Sequence, residues 1–79
     1  MAPEVEHALS PPTLTERQRQ VASGVARGLT NDEIGAELGI SPRTVKAHCD
    51  TLRQKLGVPT RRRIAPAFLA LPSHRQPRR

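Results

Sequence analysis

Thr30-Asn-Asp-Glu-Ile-Gly-Ala-Glu-Leu-Gly-Ile-Ser-Pro-Arg-Thr-Val-Lys-Ala-His-Cys-Asp-Thr-Leu-Arg-Gln-Lys-Leu-Gly57 carries two helix starts and two helix stops with very little chain between them. The first start is Thr30 with Glu33 three residues on, a capping box in which hydroxyl and carboxylate each satisfy an orphan backbone amide. Asp32 and Glu33 also place negative charge at the positive end of the helix dipole. Ile34 and Leu38 form the apolar stripe, and Gly39 ends the segment. Gly35 is a poor helix former in mid-helix, which predicts close approach by another helix. The second start is Ser41 as N-cap with Pro42 at the first helical position, where a missing N–H costs nothing. Val45, Cys49, Leu52 and Leu56 then fall within about 60° of the helical wheel. Gly57 supplies the stop. Two capped helices joined through Gly39-Ile40-Ser41 read as a helix-turn-helix.

Upstream, Thr15-Glu-Arg-Gln18 repeats the capping box and Leu14 precedes it as a hydrophobic staple. Leu14, Val21, Ala22, Val25 and Leu29 share one face, with Glu16, Arg19 and Arg27 away from it, and Gly28 suits the end of this helix. Downstream, a fourth helix is expected between Thr60 and Leu71, burying Ile64, Ala67, Phe68 and Leu71. Pro66 either starts a shorter helix there or kinks a longer one. Residues 1–13, with Pro3, Pro11 and Pro12 and no apolar periodicity, read as a disordered arm, and 72–79 as a basic, proline-containing tail. The expectation is an all-α, four-helix domain over residues 14–71. A chain of 79 residues has a thin margin between buried apolar area and ordering entropy.

Thirteen Lys and Arg against seven Asp and Glu give a formal net charge of +6, which favours anionic partners. Charge alone does not choose between nucleic acid and an acidic membrane surface. Phe68 is the sole aromatic residue, which argues against stacking single-stranded bases and weakens an interfacial membrane anchor. Cys49 is the sole cysteine, so an intramolecular disulfide and a cysteine-based zinc cluster are both excluded. No apolar run reaches membrane-spanning length, and Met1 to His7 lacks the basic and apolar regions of a signal peptide. A cytoplasmic, nucleoid-associated protein is expected. His7, His48 and His74 are not arranged as a base beside a nucleophile, and no glycine-rich phosphate loop is present, so neither an enzyme nor a cofactor is expected. His48, Cys49 and Asp50 are adjacent on one helix and point in different directions, which argues against a metal site; Cys49 reads as a small core residue.

Opposite the apolar stripe of the third helix lie Arg43, Lys46, Ala47, Asp50 and Gln54. An α-helix fits the major groove of B-DNA, and the N-terminal half of a recognition helix enters deepest. Lys46 can donate to guanine O6 and N7, Ala47 can pack on a thymine methyl, and Asp50 can accept from cytosine N4. Asp50 either reads cytosine or lowers overall affinity, since phosphates repel a carboxylate. Ser41, Arg43, Thr44, His48 and Lys55 lie towards the flanks and suit phosphate contacts, which fix register without reading sequence.

Leu14-Thr-Glu-Arg-Gln-Arg-Gln-Val21, Ala26-Arg-Gly-Leu-Thr-Asn-Asp-Glu-Ile34, Leu38-Gly-Ile-Ser-Pro-Arg-Thr-Val-Lys-Ala-His48 and Lys55-Leu-Gly-Val58 together closely resemble the LuxR-type (GerE-like) helix-turn-helix domain. The resemblance implies that the fourth helix, with Ile64, Ala67, Phe68 and Leu71, forms a dimer contact and that binding is to partly palindromic promoter sites in double-stranded DNA. It also implies base edges at Lys46, Ala47 and Asp50 and phosphates near Thr44 and Lys55. A homodimer on DNA is the expected assembly, with RNA polymerase or a longer LuxR-type protein as further partners. A second reading is an interaction module that pairs with longer relatives and interferes with them. Gln18 and Gln20 stand where the family often has glutamates, so an internal charge pair is expected to be absent while the Gln18 cap survives. Ala22 and Gly24 replace larger apolar residues, which predicts a lightly packed first helix. Relatives usually carry a receiver or ligand-binding domain ahead of this one, so the chain reads as a stand-alone member or a fragment.

Overall fold

Side chains set where the first three helices begin. The Thr15 hydroxyl accepts from the Gln18 amide at 3.1 Å and the Gln18 carboxamide oxygen accepts from the Thr15 amide at 2.9 Å, opening α1 (Glu16–Ala26). Thr30 and Glu33 make the same reciprocal pair at 3.1 and 2.8 Å and open α2 (Asn31–Leu38). Ser41 Oγ accepts from the Thr44 amide at 3.1 Å, and Pro42 is the first residue of α3 (Pro42–Leu56). These bonds, reciprocal at Thr15 and Thr30 and one-way at Ser41, satisfy amides that the helix itself leaves without partners. A single 3₁₀ turn, Arg61–Arg63, leads into α4 (Ile64–Leu69). This computed structural model describes residues 13–72, all-helical with no strand among them. The arm and tail readings therefore fall, apart from Thr13 and Pro72, outside the described residues.

The four helices converge on ten buried apolar residues: Leu14, Val21, Ala22, Ile34, Val45, Cys49, Leu52, Ile64, Phe68 and Leu71. α1 packs most extensively on α4 and also on α3, while α2 packs chiefly on α3. The apolar stripe of α3 thus faces inward as its wheel predicts, with Val45 and Leu52 fully buried and Leu56 half-buried. Gly57, in the left-handed region at φ 70°, lets the chain leave α3 while the Val58 amide bonds back to the Arg53 carbonyl at 3.0 Å.

Two expectations are corrected by packing. Gly24 leaves no slack: a Cβ there would fall 2.7 Å from Ile34 Cγ1, so the isoleucine occupies the room a larger α1 residue would have taken. Gly35 is approached by the turn backbone instead of by another helix. A Cβ there would lie 2.5 Å from the Ile40 carbonyl oxygen, because Gly39 (φ 71°) reverses the chain and the Ile40 amide returns to the Gly35 carbonyl at 3.0 Å. In the fourth segment, Ile64, Phe68 and Leu71 are spent on the protomer's own core, with Ala67 half-buried beside them. These are the inward residues of α4, and its outward side is open to solvent. That side carries Leu69, 46% exposed and the exposed large apolar side chain of the described residues. Pro66 resolves in favour of a short helix: it sits in the first turn of α4, where an N–H has no intrahelical acceptor to lose.

Gly35→Ala gains about 1 kcal/mol of helix propensity but sets a methyl against a backbone oxygen. The expected net outcome is a loss of about 1–3 kcal/mol in urea unfolding; an unchanged or raised midpoint would show that the turn yields freely.

Candidate nucleic-acid interface

α3 is inserted so that one side is core and the other is open. Arg43, Thr44, Lys46, Ala47 and Asp50 are exposed, while Val45 and Cys49 between them are buried. The face read from the wheel is therefore physically presented as one surface. Ser41 is exposed but its hydroxyl is engaged by the cap and lies 3.0 Å from Thr44 Oγ1. His48 is half-buried on the flank. Lys46 Nζ donates to Asp50 Oδ2 at 3.3 Å, and Arg53 Nη2 lies 3.7 Å from Asp50 Oδ1, so the carboxylate is flanked by cations along α3.

Lys55, expected at a phosphate, is occupied within the protein. Its ammonium donates to the Thr13 carbonyl at 2.9 Å and to Gln18 Oε1 at 3.1 Å, tying the end of α3 to the start of α1. The Gln18 cap survives as expected. Its carboxamide oxygen, almost buried, takes the ammonium as well as the Thr15 amide, so a hydrogen bond to a charged donor stands where a charge pair is absent.

Two polar ties were not foreseen. Arg61 donates to Asn31 Oδ1, to the Leu29 carbonyl at 2.8 Å and towards Cys49 Sγ at 3.5 Å, joining the turn before α4 to the start of α2 and the inner side of α3. Its partners lie 12 to 32 residues away, beyond the reach of any local pattern; the cluster Arg61-Arg-Arg63 reads in sequence only as charge. Arg27 meets Glu37 in a two-pronged bridge at 2.8 and 3.2 Å, joining α1 to α2. The Arg27 hydrogen bond holds the Glu37 carboxyl below its ordinary range, and Glu37 raises Arg27 in turn. Both side chains are about half exposed, so this bridge orients more than it stabilises. Burial pushes the Cys49 thiol up, against the lowering effect of Arg61 nearby.

The description "Bacterial regulatory proteins, luxR family" matches residues 12–67, which spans all three helices of this arrangement and most of α4. The chain belongs to the luxR family of bacterial regulatory proteins. Among similar proteins, the transcriptional regulatory protein UhpA of Escherichia coli is 56% identical over 45 residues, covering 57% of this chain and 23% of that one. The transcriptional regulatory protein LiaR of Bacillus subtilis is 42% identical over 60 residues, covering 76% and 28%. The HTH-type transcriptional regulator MalT of Cronobacter sakazakii is 41% identical over 56 residues, covering 71% and 6%. The chain thus spans less than a third of the length of these relatives. Family membership makes α2 and α3 the helix-turn-helix of a DNA-binding regulator class. No helix among the described residues of this luxR-family chain is long and apolar enough to cross a membrane.

Two measurements probe the polar scaffold. Arg61→Ala is expected to lose about 1–3 kcal/mol of unfolding free energy, with Arg61→Lys recovering little because a single ammonium nitrogen cannot reproduce the planar fork whose two terminal nitrogens reach separate partners; a change below about 0.5 kcal/mol would exclude a clamp. For Cys49, the folded state keeps the thiol protonated while the unfolded chain ionises near pH 8.5. The stability from this group is complete below that pH and declines above it. The wild type is therefore expected to lose stability relative to Cys49→Ala as pH rises through the thiol range, and parallel curves would contradict this.

Proposed function

We propose that this domain binds double-stranded DNA sequence-specifically to regulate transcription, with α3 in the major groove. The observation that carries the proposal is the joint exposure of Lys46, Ala47 and Asp50 on a helix whose opposite side is locked into the core. Groove reading needs such rigidity, because base-edge contacts demand side chains held from a fixed backbone. Arg43 and Thr44 at the start of α3 serve phosphates, as do the polar groups of Ser41 and His48 on its flanks. Lys55 acts on DNA through the frame, by holding α3 to the entry of α1, and not as a phosphate ligand of its own.

Two copies pair on partly palindromic sites, through the outward side of α4 that bears Leu69. Its exposure supports this arrangement, since the inward residues of α4 are already covered. A two-fold pair would place its half-sites about one helical turn apart, or a multiple of it. The regulator names of UhpA, LiaR and MalT support a role in transcription, for which RNA polymerase or a longer luxR-family protein would be the further partner.

Selection from random duplexes, followed by fluorescence anisotropy titrations, tests the reading. Lys46→Ala is expected to cost about 1–3 kcal/mol on the selected site and little on random DNA. Arg43→Ala is expected to weaken both and to lower the salt slope by about 1. Equal losses on both DNAs for Lys46→Ala would remove Lys46 from the base-reading role.

A further inference from the structure

Lys46 and Asp50 are four residues apart on α3 and share one face. Their charged ends meet at 3.3 Å, and Arg53 lies beside the second carboxylate oxygen at 3.7 Å. A basic residue N-terminal to an acidic one at this spacing is the less favourable order for a helix. Both side chains are also more than half exposed, so the pair adds little to stability. What it does provide is a geometry: an ammonium donor and a carboxylate acceptor side by side, at about hydrogen-bond separation, on the outward face of the recognition helix.

The major-groove edge of a G·C pair has the complementary pattern. Guanine O6 accepts and the cytosine N4 amino group donates, and because these two atoms bond each other they lie roughly 2.9 Å apart. We infer that Lys46 and Asp50 read one G·C base pair together as a preassembled doublet, guanine under Lys46 and cytosine under Asp50. This rests on α3 being the recognition helix, as proposed above. The valences close: the three ammonium protons serve O6, N7 and Asp50, while the carboxylate has lone-pair sites for Lys46, Arg53 and the N4 proton. The ion pair therefore need not break on binding. Arg53 offsets the repulsion that phosphates exert on the carboxylate.

The same doublet ranks the other pairs. A T·A pair also sets a carbonyl acceptor beside an amino donor, but thymine has a methyl group where guanine has N7. The inverted pairs C·G and A·T set Asp50 against a carbonyl oxygen and Lys46 against an amino group, which opposes like with like.

Quantitative site selection with the 79-residue chain and its Lys46→Ala, Asp50→Ala and doubly substituted forms tests this, with circular dichroism to confirm that each remains folded. The wild type is expected to prefer G·C over the inverted pair at one position by roughly 5- to 150-fold. Each single substitution should flatten that same position, and the double substitution should lose no more than the worse single one. Loss of preference at two different positions would overturn the doublet. So would an Asp50→Ala chain that binds every sequence more tightly with its preferences intact, since Asp50 would then only repel phosphates. A wild type without base preference would overturn the doublet and the proposed sequence-specific function together, whereas the first two results would leave that function standing.

Discussion

The close approach of the Ile40 carbonyl to the Cα of Gly35 is the constraint on which the geometry of this domain depends. It allows the chain to reverse through Gly39, Ile40 and Ser41 and start α3 at once, with the Ile40 amide returned to Gly35. A turn this short leaves little freedom in how α3 sits on α2. Because α3 is fixed in roll as well as in angle, burial of Val45, Cys49 and Leu52 obliges Lys46, Ala47 and Asp50 to face outward. The outward face of α3 is thus a consequence of a backbone contact several residues away from it.

Among the described residues ten buried apolar side chains make a small core, and Ala22 and Cys49 among them contribute little area. Polar ties reinforce it at the places where one helix hands over to another. Arg61 spans the starts of α2 and α4 and the inner side of α3, Lys55 joins the end of α3 to the start of α1, and Arg27 joins α1 to Glu37 on α2. Two of these bonds run from a cation to a backbone carbonyl, Lys55 to Thr13 and Arg61 to Leu29, satisfying acceptors outside the helices that the core cannot reach. These basic residues keep their charge while they brace the fold, so they add to the positive field of the domain as well as to its frame.

Much of the architecture was legible because it is local. Capping boxes at Thr15 and Thr30, Ser41-Pro42, and the stripe Val45, Cys49, Leu52 and Leu56 all operate within a few residues, and the structure realises each of them. The outward face of α3 followed from the same periodicity. Where reading failed, the decisive partner was distant in sequence. Gly24 looked underpacked because Ile34 is invisible to a wheel drawn on α1, and nothing local to Arg61 points to Asn31 and Leu29, which lie 30 and 32 residues away. In the fourth segment Ile64, Phe68 and Leu71 are buried as their spacing predicts.

Asp50 shows how far a single face can be resolved. In isolation a carboxylate on a DNA-facing helix is a liability, since phosphates repel it and water must be stripped from it. Flanked by Lys46 and Arg53, it becomes part of a local arrangement whose net charge is positive. Its oxygens stay directed along the exposed side of α3 and still have lone pairs to offer. The repulsion that remains acts on every duplex alike, whereas the acceptor is useful only where a base edge supplies a donor. With α3 in the major groove as proposed, a carboxylate in this position would lower affinity for arbitrary DNA more than for a matching site, and the gap between those two affinities is what sequence specificity consists of.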